Sequence, residues 1–189
     1  MSVLAPELSL NQKRCIGEKA FSILCELISA AAPKRIVEFG SGISTVRLAM
    51  AFPKIEILSF DHSKKYSYRA AELLRKYAAD SRCSISHRPL RLRWLKGRPI
   101  VSYEMVKIEG PTPFVIIDGP PIFTIYGREA CLYDIYPNIP QGGVVILDDY
   151  VRLSEQMIVR HWLKAYPGQF EVESKPIGNT LAILRKLKT

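Results

Sequence analysis

From Glu38 to Thr45 the chain reads Glu-Phe-Gly-Ser-Gly-Ile-Ser-Thr, placing one carboxylate, two glycines and three hydroxyls directly after a short apolar run. Gly40 and Gly42 let the backbone turn sharply and come close to a ligand. Ser41, Ser44 and Thr45, with the start of a following helix, offer donors to an anion. Glu38 would repel a pyrophosphate and suits an ammonium group. Asp61, twenty-one residues past Gly40, ends the next apolar run and is followed by His62. A carboxylate at that spacing can take both hydroxyls of a ribose. Asp118 ends a later apolar run, and Asp148 with Asp149 ends another. Carboxylates there can accept a proton, or together hold a divalent cation. Purely structural uses stay open: Glu38 can pair with Lys34 or Arg35, Ser41 and Ser44 can cap a helix, Asp61 can be a turn residue, and Asp148 and Asp149 can cap or pair with Arg152.

These residues can meet only if the elements before them end at one edge. The run "RIVEF" reads as a strand and "STVRLAMAF" as a helix starting at Ser44 or Thr45; "IEILSFD" and "SKKYSYRAAELLRKYA" repeat the unit, with Ser63 as N-cap. "FVIIDGPP", "GREACLYDIYP", "GGVVILDDY" and "SEQMIVRHWLKAY" continue the alternation. "QFEVESKP" and "NTLAILRKL", joined around Ile177-Gly178-Asn179, are too close for a helical crossover and must pair antiparallel. An amphipathic helix over about 9–32 leads the chain. The expected fold is α/β: one domain over 1–189, a doubly wound, mostly parallel sheet with a C-terminal antiparallel strand pair and helices on both faces. Ligands of such a sheet lie beyond the carboxyl ends of its strands, where all the residues above fall.

One segment departs from the alternation. Residues 88–107 read as a hairpin inserted where another helix would stand, with a turn at Lys96-Gly97. Leu92 and Trp94 alternate with Arg91 and Arg93, which predicts an apolar face packed on the sheet and a charged face outward. If Arg88, Arg91, Arg93, Lys96 and Arg98 line the acceptor path, the acceptor is anionic; a solvated edge or a subunit contact explains them equally.

A ligand with an ammonium group, a carboxylate and a ribose is S-adenosylmethionine. Nicotinamide and flavin cofactors use a related loop, but their third glycine is Thr45 here. With "EFGSG", "SFDHS", "IIDGPP", "GGVVILDDY" and the terminal strand pair, the sequence resembles the class I S-adenosylmethionine-dependent methyltransferases over about residues 34–186, most closely the small O-methyltransferases. The resemblance implies that Glu38, Gly40, Ser41, Gly42, Ser44, Thr45 and Asp61 bind the cofactor, with His62 beside the adenine. It implies catalytic roles for Asp118 and Asp148, and a Mg²⁺ site of Asp118, Asp148 and Asp149 like that of catechol-type enzymes. The lysine those enzymes carry three residues past the first aspartate is Pro121 here. His87 and His161 are further titratable candidates.

Composition narrows the partners. Lys and Arg outnumber Asp and Glu by 27 to 18, which favours anionic partners. A small-molecule or glycan acceptor is the expectation, with an RNA or protein acceptor and a non-catalytic cofactor-binding role as alternatives. The four cysteines form no Cys-x-x-Cys pair, and no apolar run approaches the roughly 20 residues that span a bilayer. Reduced thiols, a cytoplasmic setting and no membrane partner are expected.

Overall fold

The structure, a computed structural model, describes residues 5–10, 16–175 and 181–187. Helix α1 (Glu18–Ala31) leads into β1 (Arg35–Phe39), α2 (Ile43–Ala51), β2 (Glu56–Asp61), α3 (Lys64–Tyr77) and β3 (Cys83–His87). A hairpin of β4 (Leu90–Leu95) and β5 (Arg98–Tyr103) follows. The chain then forms β6 (Phe114–Ile117), α4 (Glu129–Ile135), β7 (Val144–Leu147), α5 (Leu153–Ala165), β8 (Phe170–Lys175) and β9 (Leu181–Lys186).

Seven strands form one sheet in the order β3-β2-β1-β6-β7-β9-β8. β1, β2, β3, β6 and β7 pair in parallel, while β9 runs antiparallel to both β7 and β8. The expected terminal strand pair is therefore present; the turn around Ile177-Gly178-Asn179 lies outside the described residues. Strand order reverses between β1 and β6: the chain steps from β1 to β2 to β3 on one side and from β6 to β7 on the other, opening a crevice above the carboxyl ends of β1 and β6.

The central strands are buried on both faces, which explains why they read as unbroken apolar runs. Ile36, Ile57, Ile116 and Ile146 point to the layer of α1, α2 and α3; Val37, Val115, Ile117 and Val145 point to the layer of α4 and α5. Each such side chain contributes about 1.5–3 kcal/mol by leaving water. This double core fixes the height at which each strand ends, and so the level of the residues that follow.

Two expectations are corrected. The leading helix starts at Glu18, not near residue 9: Pro6–Leu8 form a 3-10 turn, Ser9 is extended, and Gly17 is the extended N-cap. Leu8, Leu10 and Ile16 are buried in the core that includes α2. The hairpin forms as expected, with Lys96 and Gly97 at positive φ in its turn, but it is turned over. Leu92 and Trp94 face outward, while Arg93 packs inward in a bidentate pair with Asp134 at 2.8 and 2.5 Å and Arg98 pairs with the buried Glu129. Periodicity gave the alternation correctly; the acids of α4 decide which face is inside.

Among the described residues Cys25, Cys83 and Cys131 are free thiols, and no helix is long and apolar enough to cross a membrane. Cys15 lies outside them.

Candidate active site

The loop after β1 is built around Glu38. Its carboxylate is fully buried, and the hydroxyls of Thr45, Ser59 and Ser44 donate to it at 2.5, 2.6 and 3.4 Å. Thr45 Oγ1 also accepts the Gly42 N–H at 2.9 Å, and the Ser41 and Ser59 hydroxyls lie 2.7 Å apart. Glu38 thus grips the glycine loop from behind. Neither Glu38 nor Thr45 is among the residues that line the cavity in front. Burial pushes the Glu38 carboxyl up to about 7, against the pull of the three hydroxyls. Arg35 pairs with Glu56 at 2.7 Å, and the partners of Glu38 are the three hydroxyls.

Gly40 has φ +108°, and a Cβ there would lie 2.9 Å from the Gly119 nitrogen. The two backbones meet across the β1–β6 gap: Asp118 N–H and Gly119 N–H both donate to the Phe39 carbonyl, at 2.9 and 2.7 Å. Gly42 has extended backbone and nothing within 4 Å of a Cβ, although it lines the cavity. Its missing side chain leaves room on the ligand side.

Asp61 is held by the Ser63 N–H at 2.7 Å and lies 3.5 Å from His62 Nδ1, itself buried without a hydrogen-bond partner. Burial raises the Asp61 pKa, opposed by the Ser63 and Ser41 N–H groups and by His62 and His87. His87 Nε2 donates to the His62 carbonyl at 3.0 Å, and His161 Nδ1 faces Glu129 at 2.9 Å; neither ring lines the cavity.

A single cavity of about 640 Å³ runs from Gly40, Ser41, Gly42 and Ser44 past Asp61 and His62 to Asp118, Asp148 and Asp149. One carboxylate oxygen from each of the last three lies within 4.8 Å of the others. Burial raises the pKa of Asp118 well above the ordinary range, with the Asp148 charge adding to it, and burial pushes Asp148 up to about 6.

The centre of that cluster is Arg128, which in the sequence stands only as the second residue of the run "GREACLYDIYP". Its guanidinium donates to the carbonyls of Pro120, Asp148 and Asp118 at 3.2, 3.0 and 2.5 Å, and to the Asp149 carboxylate at 3.2 Å. Asp118 Oδ1 lies 3.4 Å from it, and Arg152 adds a 2.6 Å pair to Asp149. Asp149 is therefore satisfied by two cations, which bears out its structural use with Arg152. Asp148 Oδ1 remains buried with no hydrogen-bond partner. An orphaned carboxylate oxygen beside Asp118 is a donor set that fits a hard cation.

Tyr103 also escaped the sequence reading. It is buried, lines the cavity, and has a hydroxyl without a partner, while its ring lies 6.5 Å from that of His62. No spacing rule marks such a residue, because it arrives from the hairpin. None of Arg88, Arg91, Arg93, Lys96 and Arg98 lines the cavity; the cations that do are Arg69, Arg128 and Arg152.

The fold is that of solved class I S-adenosylmethionine-dependent methyltransferases. A putative O-methyltransferase from Klebsiella pneumoniae superposes with TM-score 0.72 at 16% identity, covering 94% of this chain and 84% of that one. An O-methyltransferase from Bacillus cereus, in complex with S-adenosylhomocysteine, gives 0.70 at 14% identity over 93% and 84%. The S-adenosylhomocysteine-bound methyltransferase of Podospora anserina gives 0.70 at 18% identity over 93% and 81%. At these identities the likeness is one of fold. No protein-family model matches the sequence.

Proposed function

We propose that the chain is an S-adenosylmethionine-dependent methyltransferase acting on a hydroxyl of a small-molecule or sugar acceptor. The observation that carries this is the continuity of one cavity from the glycine loop and Asp61 to the Asp118–Asp148 pair. In this reading Asp61 takes the ribose hydroxyls and His62 flanks the adenine. Ser41, Ser44 and the first N–H groups of α2 receive the carboxylate, and Gly40 and Gly42 admit the backbone close to the ligand. Glu38 and Thr45 position that loop.

Methyl transfer is an in-line displacement: the S–CH3 bond breaks as the O–CH3 bond forms, and the acceptor loses one proton. Asp148, with its carboxyl pushed up to about 6, is matched to take that proton near neutral pH. Alternatively, Asp118, Asp148 and Asp149 would hold Mg²⁺, which would lower the pKa of a bound hydroxyl in place of a carboxylate base. The cavity's walls do the rest by fixing the acceptor against the sulfonium.

Occupation of the acid cluster by Arg128 favours a second reading, a cofactor-binding protein without transfer, in which the carboxylates exist to hold the guanidinium. Two measurements separate the readings. S-adenosylhomocysteine at 100 times its Kd should stabilise the fold by about 2.7 kcal/mol, and Asp61→Ala should remove most of that gain. A thermal shift with NADH and none with S-adenosylhomocysteine ends both readings. If methyl-labelled cofactor transfers label to a hydroxyl-bearing extract fraction, and Asp118→Asn stops transfer but keeps the thermal shift, the enzyme reading stands.

A further inference from the structure

The outward face of the hairpin is apolar. Leu92 and Trp94 are 74% and 73% exposed, and Val101, the cross-strand partner of Leu92, is exposed beside them. β5 packs against the 3-10 turn at Ile122–Thr124, and Ser102 Oγ donates to the Gly127 carbonyl at 2.6 Å. The exposed Phe123 and Ile125 therefore carry the same surface to the cavity mouth, which Phe123 lines. Leu153, 78% exposed, follows Arg152, another residue of that lining. Every one of these side chains sits on a segment leaving the carboxyl end of β3, β6 or β7, so they gather at one edge of the sheet. Soluble monomers seldom leave so many large apolar groups around one opening.

The charges around them are mostly positive, although the exposed Glu104 lies 3.9 Å from Arg91. Arg91 and Lys96 are exposed on the hairpin, and Lys64 and Lys65 open α3 behind β2 with no acid in that first turn. Two cations at the positive end of a helix dipole oppose it, and nothing in that turn offsets them. A two-fold contact between copies through this edge would bring two net-positive surfaces together. A surface that is apolar beneath an anionic layer satisfies both features. We propose that this edge docks on an anionic bilayer surface, with Trp94, Leu92 and Phe123 entering the headgroup boundary and the cavity mouth turned toward the lipid. This is docking on a membrane, not spanning it. It does not depend on methyl transfer, and the two readings fail separately.

The protein carries its own reporter. Its two tryptophans are Trp94, exposed, and Trp162, fully buried. With vesicles of mixed phosphatidylglycerol and phosphatidylcholine the emission should shift to the blue and the protein should co-sediment, while phosphatidylcholine alone should give neither. Trp94→Phe should abolish the shift. Leu92→Ser with Ile125→Ser should weaken sedimentation, and Arg91→Gln or Lys96→Gln should each weaken it about five-fold. S-adenosylhomocysteine binding, measured alongside, should be unaffected by Arg91→Gln. Absence of any shift with the anionic vesicles, or equal binding to neutral ones, overturns the proposal. So does a stable dimer in which Trp94 emission is already blue without lipid, since the edge would then belong to a second copy.

Discussion

Gly40 and Gly42 stand two positions apart for different reasons. Gly40 is required by the chain itself, since its φ of +108° disfavours any side chain and a Cβ would press on the Gly119 nitrogen at 2.9 Å. Gly40→Ala should therefore cost roughly 1–3 kcal/mol or more in chemical denaturation. Gly42→Ala meets no atom within 4 Å at an extended φ, so its stability should stay within about 0.5 kcal/mol of wild type. Its loss should appear in S-adenosylhomocysteine affinity by calorimetry, because the methyl enters space on the ligand side. Arg128→Met should be the most damaging change at the site. It leaves Asp118, Asp149 and Glu155 facing one another without their shared cation, at a cost of about 3–5 kcal/mol in urea unfolding. The glycine pair and the acids were legible as types at a spacing. Arg128 was not, because its hydrogen-bond partners lie 8 to 21 residues away and are mostly backbone carbonyls, which carry no sequence signature.

At the scale of elements, strands and helices followed from apolar period and turn residues because each is settled locally. Four of the five parallel strands could be read because they are buried on both faces, and the final pair because its link is too short for a crossover; the edge strand β3, only half-buried, offered no apolar run to read. The orientation of the hairpin could not. Arg93 reaches Asp134 across 41 residues and Arg98 reaches Glu129 across 31, and these long-range pairs outweigh the tendency of Leu92 and Trp94 to turn inward. Asp134 is nearly buried, so removing Arg93 alone strands a charge. Arg93→Ala should cost about 3–5 kcal/mol, whereas Arg93→Met combined with Asp134→Leu should recover most of it. A double-mutant cycle in denaturant measures the difference. If the single and double variants are equally unstable, packing holds the hairpin and the ion pair does not.

At the scale of the whole molecule, four buried carboxyls at the crevice are shifted one way. Glu38 rises to about 7, Asp148 to about 6, and Asp61 and Asp118 rise too, each with burial as the leading cause. A folded-state pKa above the unfolded one means that the folded protein binds the extra proton, so the stability it contributes is complete below the unfolded value and is lost as pH climbs through the folded value. For Glu38 that window runs from 4.5 to about 7 and is worth about 3 kcal/mol. The carboxyls shifted downward, Glu7 and Glu18, change their contribution only below 4.5 and leave this window alone. The Tm of the ligand-free protein should therefore fall between pH 5 and pH 8, by about 5–10 °C if Glu38 dominates. Glu38→Gln keeps a neutral group of the same shape at every pH and should flatten that slope. A calorimetric Tm that rises over the same range in the wild type would mean that the Glu38 cage holds its carboxylate ionised, its three hydroxyls outweighing its burial.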